Sequence, residues 1–97
     1  MKIEYAHTLG MNTALAKVKA ALMQAMFTYS DKISDLSESW NYNIGNINFS
    51  CYGFTIKITI VVEDSVIIVE GKIPWLISGY GSKIEQILLD QLKKVLI

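Results

Sequence analysis

The chain has 97 residues, enough for one domain with its own hydrophobic core, and we assign residues 1–97 to that domain. Nine lysines balance nine acidic residues and there is no arginine, so the sequence lacks the basic footprint of a nucleic-acid-binding protein. No apolar run approaches the roughly 18 residues of a transmembrane helix, and residues 1–7 lack the apolar core of a secretory signal. We therefore expect a cytoplasmic protein without a transmembrane segment.

The N-terminal part of the chain predicts a short strand, a helix and a loop. Over residues 2–6 apolar and charged side chains alternate, which is the period of a half-buried strand. Over residues 10–29 apolar side chains recur at spacings of three and four, as on the buried face of a helix. Residues 30–39 are rich in serine and aspartate, so we predict a loop that leads to the next strand.

Residues 39–73 predict a four-stranded antiparallel meander. We place its two-residue turns at Ile44-Gly45, Tyr52-Gly53 and Asp64-Ser65. Counting outward from these turns brings large apolar side chains together on one face of the sheet. The predicted cross-strand partners are Trp40 with Phe49, Tyr42 with Ile47, Phe49 with Ile56, Ile47 with Ile58, Ile60 with Val69, and Val62 with Ile67.

The C-terminal part predicts a second helix. Pro74 ends the last strand because proline has no N–H group to donate, and Ser82 to Glu85 has the spacing of a helix capping box. We predict the helix over residues 82–96. Pairing the first strand with the last gives the sheet order 1-5-4-3-2, and a right-handed crossover puts both helices on one face. The predicted fold is α+β: a five-stranded antiparallel sheet with two helices packed on one face.

The candidate reactive groups are few and far apart. His7 is the only histidine and Cys51 the only cysteine, and the predicted sheet order places two strands between them, which disfavours a Cys–His pair. We expect a ring nitrogen of His7 to bond a loop backbone group, and Cys51 to lie in the core beside Phe54. Neither a second histidine nor a cysteine pair supports a metal site, so we predict no metal, no cofactor and no enzymatic activity.

Apolar side chains outside the predicted core are candidates for contact surfaces. On the open face of the sheet Val61, Val66 and Ile68 form an apolar corner, which we interpret as a homodimer interface. The alternative interpretation is a scatter of tolerated exposed residues. Met23 and Phe27 fall on the outer side of the first helix and are further exposed candidates.

The segment before the second helix is the candidate ligand site. Trp75 and Leu76, followed by the glycine hinge around Tyr80, are interpreted as a movable flap over an apolar pocket. The alternative is that this segment simply closes the core. Together with His7, these residues make up the predicted ligand-binding set.

Several short motifs point to one family. They are His7-Thr8-Leu9-Gly10 before an alanine-rich helix, the aromatic strand around Trp40, the glycine turn at Gly53, and Ile73-Pro74-Trp75-Leu76 leading into Ile84-Glu85-Gln86-Ile87. Over nearly its whole length the chain thereby resembles the polyhydroxyalkanoic acid system proteins. It departs from their pattern by lacking arginine and by its longer polar segment at residues 30–39. The resemblance implies association with storage-polyester granule genes, not an established enzymatic activity.

Our hypothesis is a non-catalytic, cytoplasmic and granule-associated protein, a homodimer that binds an apolar ligand, a polymer granule surface or a partner protein. Two alternatives stay open. The first is a small hydrolase-like enzyme acting on hydroxyacyl substrates, with His7 as base and Tyr80 or Ser82 as its partner. The second is a purely structural dimeric adaptor.

Overall fold

The structure, a computed structural model, describes residues 2–51 and 53–72 together with Gln86, Leu89, Asp90, Lys93 and Lys94. Its elements are β1 (Lys2–Ala6), α1 (Met11–Thr28), β2 (Ile33–Asn41), β3 (Ile44–Cys51), β4 (Phe54–Val62) and β5 (Val66–Lys72). The strands form one antiparallel sheet of order β1-β5-β4-β3-β2. The predicted α+β class, the five-stranded antiparallel sheet and its strand order are confirmed.

The core lies between α1 and one face of the sheet. Every second residue of β4 from Ile56 to Val62 is buried, which is the alternation of a strand with one covered face. The helix contributes Ala14, Val18 and Ala21. Burying each isoleucine or valine side chain contributes roughly 1.5–3 kcal/mol. The buried core cluster comprises Ile3, Ala14, Val18, Ile47, Ile56, Ile58, Ile60, Val62, Ile67 and Val69.

The second predicted helix falls mostly outside the described residues. The five residues described there are helical, and Leu89 is packed against the core. The Gln86 side chain donates to Asp90 Oδ1 at 3.0 Å, a pair four residues apart as on one helix face. In the described parts of the chain α1 is the one helical element with defined bounds, so the prediction of two helices on one face is not matched there.

The segment that we predicted as a loop at residues 30–39 instead forms most of an edge strand. β2 begins at Ile33, and its register against β3 shifts between Ser34 and Ser37. Asp35, inside this bulge, has a φ of 52°, a left-handed conformation that aspartate tolerates better than most residues. The loop prediction was wrong because the bulge interrupts the period of two and the strand is polar. Polar side chains and a bulge also discourage a further strand from adding at this edge.

The β2–β3 turn lies at Tyr42-Asn43 and not at Ile44-Gly45 as predicted. Trp40 pairs with Gly45, and Tyr42 takes a φ of 53° in the tight turn. Two hydrogen bonds join Asn43 of the turn to Val62 of β4. The Nδ2 of Asn43 donates to the Val62 carbonyl at 3.0 Å, and the Asn43 backbone carbonyl accepts from the Val62 N–H at 2.9 Å. The predicted pairs of Trp40 with Phe49 and of Tyr42 with Ile47 are therefore wrong.

The other two hairpins have the predicted register. Cys51 pairs with Phe54 where β3 turns into β4, and the Glu63 N–H donates to the Val66 carbonyl at 2.9 Å across the β4–β5 turn. The confirmed pairs are Phe49 with Ile56, Ile47 with Ile58, Ile60 with Val69, and Val62 with Ile67.

Candidate functional site

His7 is bonded to the backbone through both ring nitrogens. It follows β1 and is 7% exposed. Its Nε2 lies 2.9 Å from the Glu63 carbonyl oxygen, and its Nδ1 accepts from the Leu9 N–H at 3.2 Å. A carbonyl oxygen can only accept, so Nε2 carries the proton and the ring is the neutral Nε2–H tautomer. The predicted bond of His7 to a loop backbone group is confirmed, and the side chain has no free nitrogen for a ligand.

Two further bonds tie the loop between β1 and α1 to the β4–β5 turn. The His7 N–H donates to the Ser65 carbonyl at 2.9 Å, and the Met11 N–H donates to Asp64 Oδ1 at 3.1 Å. Gly10 precedes α1 without a side-chain cap of its own, and the first turn of the helix holds no acidic residue. The carboxylate of Asp64 therefore serves as the cap of α1 from a distant turn.

Replacing Asp64 by alanine should lower the free energy of unfolding by about 0.5–2 kcal/mol, because the Met11 N–H in the first turn of α1 loses its carboxylate partner. Urea denaturation measures the change. Glu63→Ala is the matched control, since it removes the same charge one residue away while keeping the backbone carbonyl that His7 uses. Equal losses in the two variants would contradict a specific cap.

Cys51 is placed as predicted. It is half-buried and packs against the core, as does Phe54. Two strands, β4 and β5, lie between β3, which ends at Cys51, and β1, which precedes His7. The thiol and the imidazole are therefore held on separate strands, as the predicted sheet order required.

The face of the sheet opposite α1 carries a row of aliphatic side chains. Val61 pairs with Ile44 on β3 and with Ile68 on β5, so three adjacent strands contribute one line of apolar groups. Val66 lies two residues before Ile68 and on the same face. Val61, Val66 and Ile68 are half-buried, and Ile44 is 39% exposed. We call these four residues the apolar row.

Ile44 is the member of the apolar row that sequence reasoning missed. The sequence pattern predicts it in the β2–β3 turn, whereas the register of the structure places it at the start of β3. Its position opposite Val61 extends the predicted corner across a third strand.

Farther along the same strands the open face becomes polar. Thr59 pairs with Asn46 and Glu70, and its hydroxyl donates to Asn46 Oδ1 at 3.2 Å. Lys57 lies directly opposite Lys72, with Asn48 on its other side. Together with Lys2, these residues line an open concavity of about 620 Å³.

Three lysines lie around this concavity, and they differ in their partners. Lys2 Nζ lies 3.6 Å from Glu4 Oε1 and 3.7 Å from Glu70 Oε1, so its charge is compensated. Within the described parts of the chain neither Lys57 nor Lys72 has an ion-pair partner. Like charges directly opposite each other on neighbouring strands destabilise a sheet. The open face therefore combines the apolar row with an uncompensated pair of positive charges.

The outer side of α1 is a second apolar surface. Met23 and Phe27 are 73% and 80% exposed, and their spacing of four puts them on one face of the helix. Their predicted exposure is confirmed. The helix carries two lysines and no acidic residue. One of them, Lys19, has its Nζ 5.1 Å from the centroid of the Trp40 ring.

The other predicted ligand residues, Trp75, Leu76 and Tyr80, lie outside the described residues, and so does Ser82. Their predicted role stays a prediction.

Comparisons with protein-family models, with curated proteins and with solved structures found no match. The resemblance to the polyhydroxyalkanoic acid system proteins therefore also stays a prediction. Within the described residues, no helix combines the length and hydrophobicity needed to cross a membrane. Two surfaces of the described part of the chain are candidates for binding: the outer side of α1 and the open face of the sheet.

Proposed function

We propose that the protein is a non-catalytic, cytoplasmic binding module whose outer α1 surface attaches to an apolar polymer such as a storage-polyester granule. The observation that carries this proposal is the exposure of Met23 and Phe27, the most exposed large apolar side chains of the described residues. Burying such a side chain contributes roughly 1.5–3 kcal/mol, so the pair can supply a useful fraction of an attachment energy.

The shape and charge of α1 favour a broad surface over a small enclosed ligand. Both side chains are highly exposed on the outer side of the helix, whereas small ligands are usually held in concave sites. A helix that lies on an apolar interface places apolar groups inward and lysines at the boundary. Lys17 and Lys19 are the only charged residues of α1, so the helix presents no negative charge to a polyester surface that carries carboxylate chain ends.

The bonding of His7 argues against the hydrolase-like alternative. A general base needs a ring nitrogen free to take a proton from the substrate or water. Nδ1 already accepts from Leu9 and Nε2 already donates to Glu63, both within the backbone. This bonding supports a structural role for His7 and so favours the non-catalytic proposal.

Partition onto purified polyester particles tests the attachment. The Met23→Gln, Phe27→Gln double variant is expected to bind roughly tenfold or more weakly than the unmodified protein, because both buried contacts are lost. Leu36→Gln is the matched control, since Leu36 is an exposed apolar residue on β2 at 41% exposure. Unchanged partition of the double variant would rule out attachment through α1.

The apolar row supports the predicted homodimer as a second candidate. Its side chains come from three adjacent strands, so a second copy could cover a continuous aliphatic strip. The Val61→Lys, Ile68→Lys variant would place charges inside such an interface. Sedimentation velocity should then show a monomer where the unmodified protein is a dimer. A dimer without attachment to particles would instead favour the structural adaptor.

A further inference from the structure

We propose that the open face of the sheet holds an oxyanion-binding site centred on Lys57 and Lys72, taking a carboxylate or phosphate group. The site lies on the face opposite α1 and is independent of attachment through Met23 and Phe27. The two lysines are direct cross-strand partners on β4 and β5.

Geometry brings both ammonium groups within reach of a single anion. Side chains directly opposite each other in an antiparallel pair have Cβ atoms about 4.5–5.5 Å apart, and lysine has a long flexible stem with a compact charge. Both lysines are exposed, and both line the concavity of about 620 Å³ on this face. An anion between them converts a repulsive pair into two attractive contacts.

Neighbouring polar groups add hydrogen-bond donors to the site. Asn46 uses its carbonyl oxygen to accept from Thr59, so its amide N–H groups are left as donors toward the concavity that it lines. Asn48, the cross-strand partner of Lys57, lies on the other side of the pair from Lys72. Its Nδ2 donates to Ser37 Oγ at 3.4 Å, which leaves one N–H of its amide for an anion. Amide donors beside two ammonium groups are suited to the several oxygens of a carboxylate or phosphate.

The surrounding charges leave the site positive. Glu70 is the acidic residue nearest to the pair along the ladder, and it lies 3.7 Å from Lys2 Nζ instead of forming an ion pair with Lys72. Glu4 contacts the same Lys2 ammonium at 3.6 Å. Both carboxylates are thus engaged by Lys2, and the three lysines and two carboxylates described on this part of the face leave one net positive charge.

The occupant is defined by the chemistry of its anionic group, and two sources can supply that group. One is free phosphate, and the other is the carboxylate of a small free hydroxy acid. Inorganic phosphate and 3-hydroxybutyrate therefore serve as the two probes. Titration at low ionic strength, followed by NMR shifts of backbone amides, reports both affinity and location, since salt weakens exposed charge contacts.

The expected result is a saturable response confined to residues 57–59 and 70–72 and to Asn46 and Asn48, with the stronger probe identifying the source. The Lys57→Gln, Lys72→Gln variant should bind at least about tenfold more weakly, and Lys57→Arg, Lys72→Arg should retain binding because the charge is kept. Lys32→Gln, Lys94→Gln is the control, since it removes the same charge at two exposed positions elsewhere.

Two outcomes would overturn the proposal: no saturable response to either probe, or equal affinity in the Lys57→Gln, Lys72→Gln variant and the Lys32→Gln, Lys94→Gln control. Loss of binding in the control alone would also overturn it. Because Met23 and Phe27 are unchanged in all of these variants, partition onto polyester particles measures the proposed attachment separately.

Discussion

Replacing Gly45 by alanine is expected to lower the free energy of unfolding by about 1–3 kcal/mol, the usual cost of forcing an extra group into a filled space. A β-carbon built on Gly45 would lie 2.7 Å from Cη2 and Cζ2 of the Trp40 indole. Strand propensity alone predicts the opposite sign, because glycine inside a strand is less favourable than alanine.

The indole cannot move aside at no cost. Trp40 is half-buried and packs against the core, and its Nε1–H donates to Glu38 Oε2 at 2.5 Å. The ammonium of Lys19, a residue of α1, lies 5.1 Å from the centroid of the Trp40 ring. This distance is typical of a cation–π contact. A β-carbon at position 45 must displace the ring from these partners, so the helix and the β2 edge lose a shared contact.

A double-mutant cycle isolates this contact. Urea denaturation is measured for Gly45→Ala, for Trp40→Leu and for the combined variant. In the Trp40→Leu background the cost of Gly45→Ala should fall to near zero, because the clashing ring is gone. A cost that is the same in both backgrounds would show that Gly45 is required for its backbone conformation and not for the space it leaves to Trp40.

Gly45 also shows why one hairpin could not be predicted from the sequence. A glycine after a polar segment is typical of a turn, and the sequence pattern gives no sign that it instead lies flat beneath an aromatic ring. The true turn uses Tyr42 at positive φ, a residue that turn statistics do not favour there. Because the predicted turn lies two residues too far along the chain, the predicted cross-strand partners of β2 are also wrong.

The β3–β4–β5 registers were predictable because apolar and polar residues alternate there without a bulge, so only one alignment buries Ile58, Ile60 and Val69 together. The pairing of Lys57 with Lys72 follows from the same register. The sequence pattern did not indicate a site at this pair, because a single lysine at a solvent-facing strand position is ordinary. Its meaning depends on the absence of an ion-pair partner among the described residues, which only three-dimensional placement reveals.

The role of His7 was predictable in kind but not in detail. Its place at the end of β1 indicated a bond to a loop backbone group. The sequence did not show that the partner would be Glu63, 56 residues away. The predicted pairing of β1 with β5 already brings the end of β1 to the β4–β5 turn. Which carbonyl group of that turn faces the ring depends on the local backbone conformation, which the sequence pattern does not specify.

Replacing His7 by alanine should lower the free energy of unfolding by about 2–5 kcal/mol, a larger loss than the one expected for Gly45→Ala. The loss has two parts: the Leu9 N–H and the Glu63 carbonyl are left without their ring partner, and a cavity opens at a buried site. His7→Phe separates these parts, because phenylalanine fills the space but offers neither a donor nor an acceptor. Thr8→Ala, at the exposed neighbouring position, is the control and should change stability little.

Amide hydrogen exchange at Leu9 gives the decisive measurement, because that N–H donates directly to His7 Nδ1. In both His7 variants exchange at Leu9 should accelerate, and in His7→Phe it should do so even if overall stability falls by less than in His7→Ala. A stable His7→Phe protein with an unchanged Leu9 amide would show that the ring nitrogens are not holding the loop. The ring nitrogens would then be free for a ligand or a proton. That result would support the hydrolase-like alternative, in which His7 is the general base.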